Sequence, residues 1–203
     1  FAGDPMQSLS PTGFRWDAIK AAMHEELDAI SDNTTKPQIE QLSNNYRSTS
    51  AIVGFANAIQ LARFTYFGLD INRLQIAWSP VADSVIPTKY EIGTENLSEE
   101  AFAEFAKQTV IIVPCEEGGE VHYVQNDPVL SAMYPDVSDK DPAGNVYSAS
   151  AAKGLEFERV ILYKFGEAVP AKWASKKNLE DRHLQAEYFF NKLYVGASRA
   201  TKF

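Results

Sequence analysis

An α/β fold, with a parallel sheet flanked by helices, is predicted by three features of this 203-residue chain. The run "TVIIVP" at 109–114 is apolar, β-branched and closed by proline, the pattern of a strand buried on both faces. Two further runs, "VYSAS" and "RVILYKF", are strand candidates. Around them apolar residues recur at three- and four-residue steps, the helical period, and strands that alternate with helices imply parallel pairing through crossovers.

Each element has its own signal. "FAGD" reads as the tail of a buried strand, and Trp16, Ile19, Met23, Leu27 and Ile30 mark an amphipathic helix closed by the loop "SDNTTKP". Gln38 to Leu42 is expected to be a short strand. Ser48 is expected to cap a helix whose inward face carries Ile52, Phe55, Ile59 and Ala62. Periodicity weakens from Leu69 to Gly93, where "TKYEIG" suggests a strand. Ser98 followed by Glu99 and Glu100 opens a helix with Phe102 and Phe105 inward. After "TVIIVP", "SDKDPAGN" is the clearest loop, "AAKGLEFE" joins the last two strands, and a helical stretch runs from about Asn178 to Phe203. No internal repeat or low-complexity tract interrupts this order.

Composition narrows the function classes. The hydrophobic fraction of 45% is enough to bury a core in one sizeable domain. Cys115 is the single cysteine, which excludes an internal disulfide and a multi-cysteine metal site and fits a reducing, cytoplasmic setting. His24, His122 and His183 lack metal-ligand spacing, so no metal ligands are assigned. No apolar run reaches the roughly 20 residues that span a bilayer, so no membrane partner is expected. A net charge of −8 argues against a broad basic nucleic-acid face, leaving only local contacts.

The chemistry lies in four short stretches: Gly3-Asp4-Pro5-Met6-Gln7-Ser8, Asn45-Tyr46-Arg47-Ser48, Ala152-Lys153-Gly154-Leu155-Glu156-Phe157, and Leu193-Tyr194-Val195-Gly196-Ala197-Ser198-Arg199-Ala200. Taken singly, Tyr46 would be a packing ring, Glu156 a solvated carboxylate, and Arg47 and Arg199 surface cations. In their order they resemble motifs III, IV, V and VI of the UvrD/Rep-like superfamily 1 helicases, and the chain is similar to that family from end to end.

The resemblance implies a RecA-like second motor domain of the P-loop NTPase class over 36–203, with 1–35 belonging to the end of the first motor domain. It implies roles as well. Tyr46 would stack on adenine, Glu156 would accept from the ribose hydroxyl, and Gly154 would let the backbone turn between strands. Arg47 would contact the γ-phosphate and Arg199 would act as an arginine finger, since a rigid fork of donors matches phosphate oxygens. Gln7 would sense the γ-phosphate or the attacking water, and Lys153 would add a phosphate or DNA-backbone contact. Trp16 or Phe14 would stack on a base of single-stranded DNA.

Departures from the family pattern are specific. Ser148-Ala149-Ser150 stands where the family has Thr-x-His, so Ser148 and Ser150 would have to make the DNA contacts without the histidine. Ser198 replaces the threonine of motif VI. No G-x-x-x-x-G-K-[ST] loop occurs, and no apolar strand ending in Asp-Glu precedes Gly3. The expected whole is therefore a piece of an ATP-dependent DNA helicase or translocase, inactive alone, with ATP and Mg²⁺ needing a first motor domain of the same protein. The alternative is a non-catalytic helicase-like interaction or regulatory module; an unrelated α/β nucleotide-binding protein would leave the motif order unexplained. The stretch between Arg47 and Lys153 is too filled with expected elements for a large accessory insertion, and Gln75 to Asn145 is expected to build one sheet with "VYSAS" and "RVILYKF".

Overall fold

The computed structural model describes residues 5–9, 16–30, 42–68, 74–78, 86–95, 97–168 and 179–202. Within them the chain is a mixed α/β protein. The central strand is β3 (Val110–Val113), with β4 (Val146–Ser148) on one side and β5 (Val160–Leu162) on the other, both parallel to it. The three apolar runs singled out in the sequence are thus the three strands of one sheet, in the order β4-β3-β5.

Successive side chains on a strand face opposite sides, and here each side meets its own layer of helices. Ile111 and Val113 pack with Val146, Ile161 and Tyr163 against α3 (Glu99–Ala106), α4 (Glu120–Asn126) and α5 (Pro128–Met133) through Phe102, Ala106, Val124 and Leu130. On the other side Val110, Ile112, Tyr147 and Leu162 meet Phe165, Phe189 and Leu193, the last two from α6 (Leu179–Ala197). Beneath α6 lies α2 (Ser50–Phe67), and the pair closes over Met6 and Leu9 through Ala56, Ile59, Phe190, Tyr194 and Val195. Gly196 lets α6 approach the sheet, because a Cβ there would come within 2.8 Å of Leu162 Cδ2.

Helix ends are satisfied locally. Ser98 caps α3 by accepting from the Ala101 N–H at 3.2 Å. The last carbonyl of α3 and that of Thr109 just before β3 are met by Asn145, whose amide donates to the Ala106 and Thr109 oxygens, each at 2.9 Å. Tyr134 donates to the Asn145 oxygen at 2.8 Å and fixes that amide. Asp127 caps α5 by accepting from the Val129 and Leu130 N–H groups, each at 3.0 Å. The same carboxylate receives the Tyr163 hydroxyl and the Lys164 ammonium, each at 2.8 Å, tying α5 to the end of β5. Lys164 adopts φ +52°, a left-handed conformation that favours glycine, and the ion pair helps hold it there.

Several sequence expectations are corrected. Thr49, not Ser48, is the residue before α2, and Ser48 is buried one step earlier with its hydroxyl donating to the Ala200 oxygen at 3.1 Å. Phe55 and Phe105 point outward; α2 instead buries Val53 and Ala56 beside Ile52 and Ile59. "TKYEIG" is irregular up to a turn at Ile92–Gly93. Gln75 to Asn145 does not feed a single sheet, since β2 (Ile76–Ala77) pairs instead with β1 (Asn44–Asn45) in a separate two-stranded parallel sheet. The helix predicted to run to Phe203 stops at Ala197. The helix α1 (Trp16–Ile30) forms as expected, with Met23 of its stripe exposed. "FAGD", the "SDNTTKP" loop and residues 38–41 lie outside the described residues. Among the described residues no helix is long and apolar enough to cross a membrane.

Candidate functional site

The segment 44–49 is a tight turn before α2, organised by one side chain. Asn45 accepts from the N–H groups of Arg47 and Ser48, each at 2.9 Å, the Asx geometry in which a short polar side chain imitates a backbone turn. Its amide donates to Gln75 Oε1 at 2.8 Å, which ties the turn to the neighbouring chain. Tyr46 is thereby presented to solvent with its ring against Trp78, the centroids 4.9 Å apart. Arg47 reaches the other way and pairs with Glu156 at 2.7 Å (Nε to Oε1). Both partners are about half exposed, so water and a ligand can reach them.

Glu156 comes from the connection between β4 and β5. The chain leaves β4 through turns at 149–154 and reverses at Gly154, where φ is +87°, a value L side chains rarely adopt. Lys153 extends its ammonium to the main-chain oxygen of Gln7 at 3.0 Å. Phe157 then makes a parallel bridge with Ala200, its N–H donating to the Arg199 oxygen at 2.9 Å and its oxygen accepting from Thr201 at 2.8 Å. Thus residues from all four motif-like stretches meet: Gln7 with Lys153, Arg47 with Glu156, Ser48 with Ala200, and Phe157 with Arg199 and Thr201.

Arg199 is turned inward. It is 4% exposed, and its guanidinium donates to the Val195 and Leu155 oxygens at 3.2 and 3.3 Å and to Ser198 Oγ at 3.1 Å. In this arrangement it braces the loop that carries Glu156 from below. The remaining assigned residues divide. Ser148 is fully buried, its Oγ accepting from the Ala151 N–H at 3.1 Å, while Ser150 is half-buried. The side chain of Trp16 and the whole of Phe14 lie outside the described residues.

A cleft of about 620 Å³ opens beside Glu156 at the edge where β3 and β5 begin, lined by Lys107, Thr109, Asn145, Phe157 and Arg159 among others. Near the opposite strand ends, Glu120 accepts from the Ser148 N–H at 3.1 Å. Burial pushes the Glu120 carboxyl up, but hydrogen bonds from the Ser148 side chain and from backbone N–H groups outweigh it, leaving the group below its ordinary range. The Cys115 thiol is pushed up to about 12 by burial and by the nearby Glu120 charge, so it is held as an unreactive thiol.

No family model, curated protein or solved structure matches this chain.

Sequence reasoning missed Trp78, the Asx turn of Asn45 and the Asp127–Tyr163–Lys164 cluster. For Asn45 a signal existed, because an Asx turn needs only asparagine two and three residues ahead of the amides it caps. Trp78 follows a strand of two residues, too short to show a period.

Proposed function

We propose that this chain supplies one wall of a nucleoside-triphosphate site, as the second motor domain of an ATP-dependent DNA helicase or translocase of the UvrD/Rep-like type. The observation that supports this most is the Arg47–Glu156 pair. Two residues from motif-like stretches far apart in sequence are brought to 2.7 Å on an open surface, beside the exposed ring of Tyr46. A ring, a guanidinium and a carboxylate are the groups that a base, a phosphate and a ribose hydroxyl respectively require. Phosphoryl transfer depends on positioning and charge neutralisation, which Arg47 would offer from this wall of the site.

The chain contains no phosphate loop. Among the described residues no cluster of Asp, Glu, His or Cys is suited to a metal. On this reading the α- and β-phosphates and Mg²⁺ would be held by a first motor domain, and single-stranded DNA would run across both. On the same reading the described residues between Arg47 and Lys153 hold no large accessory domain, since α3, α4 and α5 share the core of the sheet itself.

A second reading is favoured by one observation, the inward engagement of Arg199 with the Val195 and Leu155 oxygens. A finger already used as an internal brace suits a helicase-like module that binds partners without hydrolysis. Joining the chain to an upstream domain with an intact phosphate loop and assaying DNA-stimulated ATP hydrolysis separates the two. Hydrolysis that falls with Arg199→Ala favours the motor; no hydrolysis despite an intact phosphate loop favours the module.

A further inference from the structure

Two aromatic rings stand together where β1 meets β2. Tyr46 is 71% exposed and Trp78 63% exposed, with their planes inclined at 40°. Large rings gain by burial, so a pair held in water by polar neighbours is a surface prepared for something flat. The holding is specific. The Trp78 N–H donates to the Asn45 oxygen at 2.8 Å. Gln75, three residues earlier, is gripped on both sides of its main chain by Asn57 of α2, whose amide donates to the Gln75 oxygen at 2.8 Å and whose oxygen accepts from its N–H at 3.0 Å. Because Asn45 also binds the Gln75 side chain, the turn carrying Tyr46 and the strand leading to Trp78 are fixed to one another.

We propose that Trp78 is a positioning residue for a nucleobase: it holds the Tyr46 ring at the inclination at which the purine of a nucleoside triphosphate stacks on it. Arg47, next in the chain, then meets the phosphates and Glu156 the ribose. The inference rests on the nucleotide reading above and adds a residue that none of the motif-like stretches contains. Without Trp78 the Tyr46 side chain would sample several rotamers, and each bound base would have to select one of them at an entropic cost.

The test uses the chain labelled with 5-fluorotryptophan, whose three tryptophans give three ¹⁹F resonances, with that of Trp78 assigned by Trp78→Phe. Millimolar ATP, inorganic tripolyphosphate and a short single-stranded oligothymidylate are titrated separately. ATP should move the Trp78 resonance and tripolyphosphate should not. Trp78→Ala should weaken ATP binding up to about tenfold, because the base would then have to select one Tyr46 rotamer on binding. Trp78→Phe should cost under about threefold, and tripolyphosphate binding should be unchanged in both variants. If ATP binding is lost in Arg47→Ala but intact in Trp78→Ala, with the Trp78 resonance unmoved, the role of Trp78 is overturned and the nucleotide reading stands. If the unaltered chain, joined to a phosphate-loop domain, binds no ATP at millimolar concentration, both are overturned. A Trp78 shift with oligothymidylate alone would also overturn the proposal, assigning the rings to unpaired bases of a strand.

Discussion

The Ser48 hydroxyl donates to the Ala200 oxygen at 3.1 Å, joining the turn before α2 to the segment after α6. Both groups lie in a buried setting, where an unmet carbonyl costs more than a met one gains. Ser48→Ala should lower unfolding stability by about 1–2 kcal/mol, read as a reduced urea midpoint with an unchanged slope. Ser48→Thr should retain most of it.

Arg47 and Glu156 are expected to behave differently, because a half-exposed ion pair contributes little to folding. Either alanine variant should shift stability by under about 1 kcal/mol. In a protein that joins this chain to a phosphate-loop domain, Arg47→Ala should lower kcat on the order of 10³-fold, while Glu156→Ala should mainly raise KM. Steady-state ATPase kinetics decide the point. Wild-type kcat in Arg47→Ala would remove that residue from phosphate contact.

Arg199→Ala should have two effects that are separable. The Leu155 and Val195 oxygens lose their guanidinium donor, so thermal unfolding should move down by the equivalent of about 1–3 kcal/mol. If the side chain also serves as a finger, ATPase in the joined protein should fall by on the order of 10³ even at temperatures where the variant is folded. Loss of stability alone would leave it a brace.

The pH dependence of stability should be carried in part by Asp127. Burial pushes its carboxyl up, but hydrogen bonds from Lys164, the Leu130 N–H and Tyr163 outweigh that and hold it below the ordinary range. A depressed folded pKa means the contribution is fully present above the unfolded value of about 3.9 and is lost as pH falls through the lower folded value. Urea midpoints measured from pH 7 downward should therefore drop more steeply for the native chain than for Asp127→Asn. Parallel curves would assign the acid sensitivity to other carboxylates.

Gly196→Val should be the most damaging small change on α6. Even a Cβ would meet Leu162 Cδ2 at 2.8 Å and Ile112 Cγ2 at 3.5 Å. Gly196→Ala can be relieved by a turn of the Leu162 side chain and gains helix propensity, so its cost should stay near 1 kcal/mol. Valine adds branches with nowhere to go and should cost about 3 kcal/mol or more. Chemical denaturation of both variants provides the comparison.

How much was legible follows from the range of each signal. The strand over 110–113 could be read because burial on both faces leaves a continuous apolar, β-branched run, and Ser98 because a cap acts within three residues. Phe55 and Phe105 were misjudged for a different reason: period shows that a face exists, not which of two adjacent apolar stripes the partner covers. Here α6 packs on the stripe of Ala56 and Ile59. The Ser48–Ala200 contact and the pairing of Asn44–Asn45 with Ile76–Ala77 depend on distant segments and leave no local trace. In the candidate site, Arg47 and Glu156 were singled out through motif order, whereas Trp78 belongs to no motif.

The layer made by α2 and α6 has a consequence for biosynthesis. The face covered by α3, α4 and α5 is built from residues 92–163 and can form as a contiguous block while the chain emerges. The other face cannot, because Met6, Leu9, Ala56 and Ile59 share their core with Phe190, Tyr194 and Val195. At roughly 5–20 residues per second, α2 leaves the ribosome many seconds before α6 is made. Throughout that interval the nascent chain displays an uncovered apolar groove along α2, the surface on which a holding chaperone, or a second unfinished chain, would settle first.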